Sequence, residues 1–266
     1  MNKAGHVALG VAAGSGLLSL LPQMDGHMAS PIVYILAVAV GSLAPDLDHK
    51  TSTASNLIQL STQNRRMAQS LGLLLLLIAV AIWGLPRLGL DLDNVWARSA
   101  PLWAAAGVLC LLLAKLRSLV LLGVGALLLA AYAMYDWHWI TAFAGGALLI
   151  LPMVKHRGII HTPEFALALS IGAFSFGQQS DLWMVQAISI GLIVGWWAHL
   201  IGDLFGREGI GSLISKKIHV ALRLFDNGGT GERLLSGLCW GISIVCWIVF
   251  LMPVEWRMEA FLSSFL

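Results

Sequence analysis

Nine continuous apolar runs constrain this chain more than any other feature. They fall at about 7–21, 31–44, 71–85, 101–114, 118–135, 139–153, 164–178, 183–205 and 235–252. Apolar residues follow one another within each run rather than alternating, which is the pattern of helices in lipid and not of barrel strands. Backbone N–H and C=O groups in hydrocarbon must be bonded inside the segment, and a helix does that. Only 11% of the residues are charged while 58% are apolar, against about a quarter charged in a soluble domain. Too little polar material remains to clothe nine such runs in water. The expected fold is all-α: a polytopic helical membrane protein of eight to nine helices, forming one domain over residues 1–266. Several runs fall short of the ~20 residues that a full crossing needs. The first two read as short helices, either buried within the bundle or paired as a re-entrant hairpin.

Basic residues give an independent test of topology. If the N-terminus is cytoplasmic and each run crosses once, the cytoplasmic stretches hold Lys3, Lys50, Arg65, Arg66, Lys115, Arg117, Lys155, Arg157, Arg207, Lys216, Lys217, Arg223 and Arg233. Only Arg87, Arg98 and Arg257 of the 16 basic residues fall outside. That bias is the one that orients inner-membrane proteins. Lys3, the run after Val7 and the small residues Ala29 and Ser30 also have the outline of a signal peptide. A retained first helix fits the same topology. Cys110, Cys239 and Cys246 lie inside apolar runs and suggest buried packing rather than a disulfide framework. Gly10/Gly14, Gly191/Gly195 and Gly237/Gly241 have the spacing that lets helices approach closely. The polar stretch 206–234 carries Leu213, Ile214, Ile218, Ala221, Leu222 and Phe225 near one helical face, with Lys216, Lys217, His219 and Arg223 around the rest. It reads either as a basic amphipathic helix on the anionic leaflet or as a cytoplasmic loop anchored by its bases.

Four short pieces carry the chemistry, because ionisable groups near membrane depth are costly and tend to be functional. They are Gly5-His6, Pro45-Asp46-Leu47-Asp48-His49, His156-Arg157-Gly158-Ile159-Ile160-His161 and His199-Leu200-Ile201-Gly202-Asp203. The charge-derived topology puts all four at the cytoplasmic ends of their helices. His199 and Asp203 are four apart, so both point to one helix face. Pro45 breaks the second helix, and an extended strand after it would turn Asp46 and Asp48 to one side with His49 opposite. His156 and His161 bracket a glycine turn able to fold both imidazoles onto one site. Imidazole with carboxylate suits a divalent ion, zinc first and manganese or iron as alternatives. Eight candidate ligands (His6, Asp46, Asp48, His49, His156, His161, His199 and Asp203) exceed the need of one four-coordinate ion, so one or two ions are expected. Singly, each piece has a plain structural account: His6 as a helix cap, Asp46 and Asp48 as a helix end, His199 and Asp203 as a hydrogen-bonded pair. His27 and His138 fall on the opposite side and His219 in the polar loop, which removes them as ligands. Trp137 and Trp139 suit an interfacial aromatic belt.

In order and spacing these pieces resemble the YdjM-like family of bacterial inner-membrane proteins, of the membrane-associated metal-dependent hydrolase type. The resemblance runs from His6 to the loop after Asp203. Its most specific block in the family is His-Arg-Gly-x-Thr-His-Ser, where this chain has Ile160 and Thr162 in place of the usual Thr and Ser. It implies an inner-membrane location and a metal-dependent hydrolase. The His/Asp-rich helical site is also similar, at fold level only, to zinc-dependent phosphoesterases. Other signatures are missing: there is no His-Glu-x-x-His. Leu192 and Ile193 stand where a lipid phosphatase needs Ser-Arg before His199 and Asp203, and Ser15 lacks the outer glycine of a nucleophile elbow. The expected function is hydrolysis at the inner leaflet of a phosphoester in a phospholipid or other membrane-associated substrate, by water activated on the ion. Asp48 is the candidate general base or bridging ligand, and Arg157 the candidate phosphate-binding residue. The same ligands would also serve a transporter or metal-handling protein, though a transporter places its ionisable groups nearer the bilayer midplane. A structural membrane protein with a metal staple is the third possibility. No nucleic-acid partner is expected.

Overall fold

The computed structural model describes residues 1–18, 21, 29–48, 58–90, 93–153, 158–207, 209–215 and 218–252. Among them are nine α-helices: α1 (Lys3–Leu18), α2 (Ser30–Gly41), α3 (Thr62–Gly84), α4 (Asn94–Ala114), α5 (Leu116–Tyr135), α6 (Trp139–Ile150), α7 (Pro163–Gln178), α8 (Trp183–Phe205) and α9 (Thr230–Leu251). Each apolar run of the sequence has its helix, and the fold is that of an all-α membrane protein. Among the described residues, four segments are long and apolar enough to cross a bilayer: Thr62–Leu88, Leu116–Tyr135, Trp183–Phe205 and Thr230–Leu251. Outward side chains on the last of these, such as Leu238, Ile244 and Leu251, are exposed, as are Leu73, Leu77 and Val80 on α3. Lipid, not protein, suits those faces.

Small residues at four-residue intervals decide how the central helices meet. On α1 the stripe is Gly10, Gly14 and Leu18; on α2 it is Tyr34, Val38 and Ser42; on α8 it is Ala187, Gly191 and Gly195. A Cβ at Gly14 would lie 2.9 Å from Val38, and one at Gly10 would overlap the Ser42 hydroxyl. Cβ atoms at Gly191 and Gly195 would fall 2.6 Å from the Tyr34 carbonyl oxygen and within overlap of that of Val38. These three helices therefore pack at close range, α2 antiparallel to α1 and parallel to α8. Leu18, Tyr34, Val38 and Ala187 form the buried core of the contact. Continuing each stripe by four residues toward one end reaches His6, Asp46 and His199, and four more on α8 reach Asp203. Four of the remaining helices form antiparallel hairpins, α3 with α4 and α5 with α6, each closed at a glycine pair (Gly72 with Gly107, Gly125 with Gly145).

Two expectations need correction, and a choice between two readings is decided. The stretch after α8 is a loop and not an amphipathic helix among the described residues. It forms two short antiparallel strands, β1 (Ile210–Gly211) and β2 (His219–Val220). The last carbonyls of α8 lack helical partners, and the extended chain supplies them: Leu222 N–H donates to the Leu204 carbonyl and Leu224 N–H to that of Phe205. Gly209 and Arg223 take left-handed backbone angles, φ 65° and 53°, which a continuous helix excludes. Residues Pro45–Asp48 form a 3-10 turn rather than an extended strand, because Asp46 N–H bonds back to the Leu43 carbonyl at the frayed end of α2. A backbone with three residues per turn lacks the two-residue alternation that would have put positions 46 and 48 on one side. Finally, nothing lies within 4 Å of a Cβ built at Gly237 or Gly241, so that pair makes no close helix contact within the described chain.

Candidate metal centre

Five of the eight candidate ligands converge at one end of the bundle. His6, His161, His199 and Asp203 are buried, and the Asp46 side chain is 25% exposed. His6 Nε2 lies 3.4 Å from Asp203 Oδ1, and His199 Nε2 lies 3.5 Å from Asp203 Oδ2. On the other side of His199, Asp46 Oδ1 stands 3.9 Å from its Nε2 and 3.7 Å from His161 Nε2. Donors bound at about 2.1 Å in a tetrahedral sphere are roughly 3.4 Å apart, so the first pair of distances already has ligand spacing. Two groups of three result, His6 with His199 and Asp203, and Asp46 with His161 and His199, with donor atoms in each lying within 4.8 Å of one another. The residues present can hold a metal ion. The amino group of Met1 also sits 3.4 Å from Asp203 Oδ1.

Backbone groups set the state of the shared ligand. His199 Nδ1 is 2.7 Å from the Ser42 carbonyl oxygen. A carbonyl only accepts, so Nδ1 carries the proton and Nε2 keeps its lone pair facing the carboxylates. This is the outer hydrogen bond that metal-binding histidines characteristically make. No hydrogen-bond partner for His199 Nε2 is found among the described residues, and the same holds for His6 Nδ1. The rings of His6 and His199 stack at 3.9 Å between centroids. Gly202 makes this possible, since a Cβ there would stand 2.9 Å from His6 Nδ1.

A profile of the YdjM inner membrane protein family matches residues 1–151. The chain belongs to that family. The matched part contains His6 and Asp46, and ends before His161, His199 and Asp203, which the fold brings to them. No curated protein and no solved structure matches the chain.

The 3-10 turn Ile159–His161 carries His161, and Thr162 closes it: its hydroxyl donates to the Ile159 carbonyl and accepts from Phe165 N–H, capping α7. The hydroxyl at position 162 thus has a structural use. The main chain at Asp48 belongs to the Pro45–Asp48 turn, while His49, His156 and Arg157 lie outside the described residues. Among the histidines set aside, His138 caps α6 through Nδ1 and lies 3.0 Å from the Ser175 hydroxyl through Nε2. His219 is exposed on β2, and His27 lies outside the described residues.

Glu232 was not anticipated. It is buried in the first turn of α9, where its carboxylate accepts the Asn2 N–H at 2.7 Å and the Gly228 N–H at 2.5 Å. Asn2 in turn accepts the Gly5 N–H. An anion at the positive ends of two helices is electrostatically favoured, and here it fixes the start of α1, one turn before His6. An acid in the first turn of a span looks like ordinary capping, so only the fold shows which backbone it holds.

The protonation of Asp46 allows a test. Burial would raise its pKa, but the hydrogen bond from the His161 imidazole and, at low pH where they are protonated, the charges of His199 and His6 outweigh that and hold it at about 2. Its ionised form therefore adds stability above the ordinary carboxylate range, and that contribution is lost only as pH falls toward 2. Imidazoles must be neutral to bind a metal, so protons compete with the ion for them. Metal is expected to leave the purified protein as pH falls while Asp46 is still ionised, and retention down to the pH at which Asp46 itself is protonated would count against imidazole ligands.

Proposed function

We propose that this protein is a metal-dependent hydrolase acting at the cytoplasmic leaflet of the inner membrane, on a phosphoester of a lipid or other membrane-associated substrate. The observation that carries the proposal is the convergence of His6, Asp46, His161, His199 and Asp203, from four separate stretches, around one imidazole lone pair. That lone pair can serve a single ion. Because both donor groups share it, one ion is favoured over two. Zinc suits three imidazoles and two carboxylates, with manganese and iron as alternatives. When bound, such an ion supplies Lewis acidity toward a phosphoryl oxygen and an activated water.

The residues of the chain then have distinct tasks. His6, His161, His199 and Asp203, all buried, would hold the ion together with the partly exposed Asp46. Partial exposure of Asp46 leaves an approach for water and substrate, which a closed structural staple would lack. Asp48 is assigned as proton acceptor and Arg157 as the phosphate clamp, from their places in sequence beside Asp46 and His161. A largely apolar cavity of about 370 Å³ between α6 and α7 is lined in part by Ile159 and Ile160, the two residues before His161. It suits an acyl chain whose headgroup reaches the metal. The basic asymmetry of the sequence supports the cytoplasmic orientation.

A hydrolase screen tests the proposal. Metal-replete protein is expected to release product from a phospholipid or phosphoester panel, and chelator-stripped protein to lose that activity and regain it with added metal. Tight metal binding with no turnover across the panel, joined to metal-dependent uptake into vesicles, would favour the transport alternative.

A further inference from the structure

A second cavity, of about 330 Å³, opens where the start of α3 meets the junction of α4 and α5. Its lining contains Arg65, Arg66, Lys115 and Arg117 together with Gln59 and Gln69, and no acidic residue. Arg65, Arg66 and Lys115 pair with no carboxylate among the described residues. Arg117 is buried, at 7% exposure, in the first turn of α5. Snorkelling bases that merely obey membrane orientation point outward to water. Arg66 and Lys115, which are exposed, fit that account singly, but it does not require four bases to line one concave space with Arg117 buried in its wall. The first turns of α3 and α5 also begin at this cavity and contain no acid, so their dipoles add positive potential there, partly offset by the C-terminal end of α4 at Ala114.

The pocket shares an end of the bundle with the metal centre. Ile58, beside Gln59, packs against the cluster of Leu121, Leu151, Ile160 and Phe165, and Ile160 precedes His161. Leu121 lies one turn beyond Arg117 on α5. The two sites are joined through this apolar cluster but have no residue in common.

We infer that this pocket binds a phosphate-bearing anion. Guanidinium groups match the paired oxygens of phosphate, an ammonium adds a point charge, and glutamine amides add neutral donors. The ligand is either the headgroup of an anionic phospholipid or free phosphate. The inference does not depend on hydrolysis at the metal centre.

Calorimetric titration of the full-length protein in neutral detergent tests it, with dihexanoyl phosphatidylglycerol and inorganic phosphate as probes. Because Arg117→Gln risks misfolding, the informative variant is Arg66→Gln with Lys115→Gln, both at exposed positions. Unchanged metal content in that double variant confirms its fold. Wild-type protein is expected to bind, and the double variant to bind at least about tenfold more weakly. Binding of phosphatidylglycerol without competition from phosphate supports the site with a lipid headgroup as ligand; equal competition supports it with free phosphate. Wild-type affinity in the double variant, or no binding of either probe to wild type, would overturn the inference.

Discussion

His199→Ala is expected to empty the metal centre while leaving the protein in the membrane. His199 belongs to both donor groups, and its Nε2 faces both carboxylates. Removing it leaves His6 with Asp203 and His161 with Asp46, two pairs that lack their common member. Loss of one imidazole from a site of this kind weakens binding by orders of magnitude, more than the roughly ten- to hundredfold cost of losing an outer hydrogen-bond partner. Metal per chain, measured by elemental analysis after extraction and gel filtration, is expected to fall below about a tenth of wild type. Full occupancy in the variant would contradict the assignment. His138→Ala removes a histidine that caps α6 and is expected to keep its metal.

Gly195→Val is expected to have the larger effect on stability. A Cβ at this position overlaps the Val38 carbonyl and lies 2.7 Å from Ser42 N. Both obstacles are backbone, so no side chain can rotate away. Overpacking a fitted contact costs about 1–3 kcal/mol, and a rigid backbone obstacle puts this variant at or above the top of that range. Separation of α2 from α8 would also draw the Ser42 carbonyl from His199 and Asp46 from the site. The variant is expected to unfold at lower temperature and to bind metal poorly. Gly237→Ala, in open space on α9, is expected to be neutral or slightly stabilising, since alanine favours a helix by up to about 1 kcal/mol over glycine. Equal thermal stability of the two variants would show that the glycine stripe does not hold α2 and α8 together.

The helices were legible in the sequence because the lipid imposes them: an apolar run has one way to satisfy its backbone. His199 and Asp203 were legible for a similar reason, since a four-residue interval on a helix fixes a shared face. The other three donors, His6, Asp46 and His161, were legible because ionisable groups near membrane depth are costly and the basic asymmetry puts them on one face, but their contacts were not. Those depend on the glycine stripes, and spacing alone cannot tell Gly191/Gly195, which meets α2, from Gly237/Gly241, which meets nothing within the described chain. The Ser42 carbonyl that sets the His199 tautomer is a main-chain atom that every residue possesses, so it leaves no mark in the sequence. The strands at 210–211 and 219–220 escaped the sequence reading because the apolar residues between Ser212 and Phe225 also satisfy a helical period. What holds the following segment extended is the set of unused carbonyls at the end of α8.

X-ray absorption at the metal edge of the wild-type protein tests the metal centre most directly. A first shell of nitrogen and oxygen at about 2.0–2.2 Å, with the outer scattering of about three imidazoles, is the expected result. A sulfur shell at about 2.3 Å, which would bring in Cys110, Cys239 or Cys246, or a purified protein without any bound metal, would contradict it.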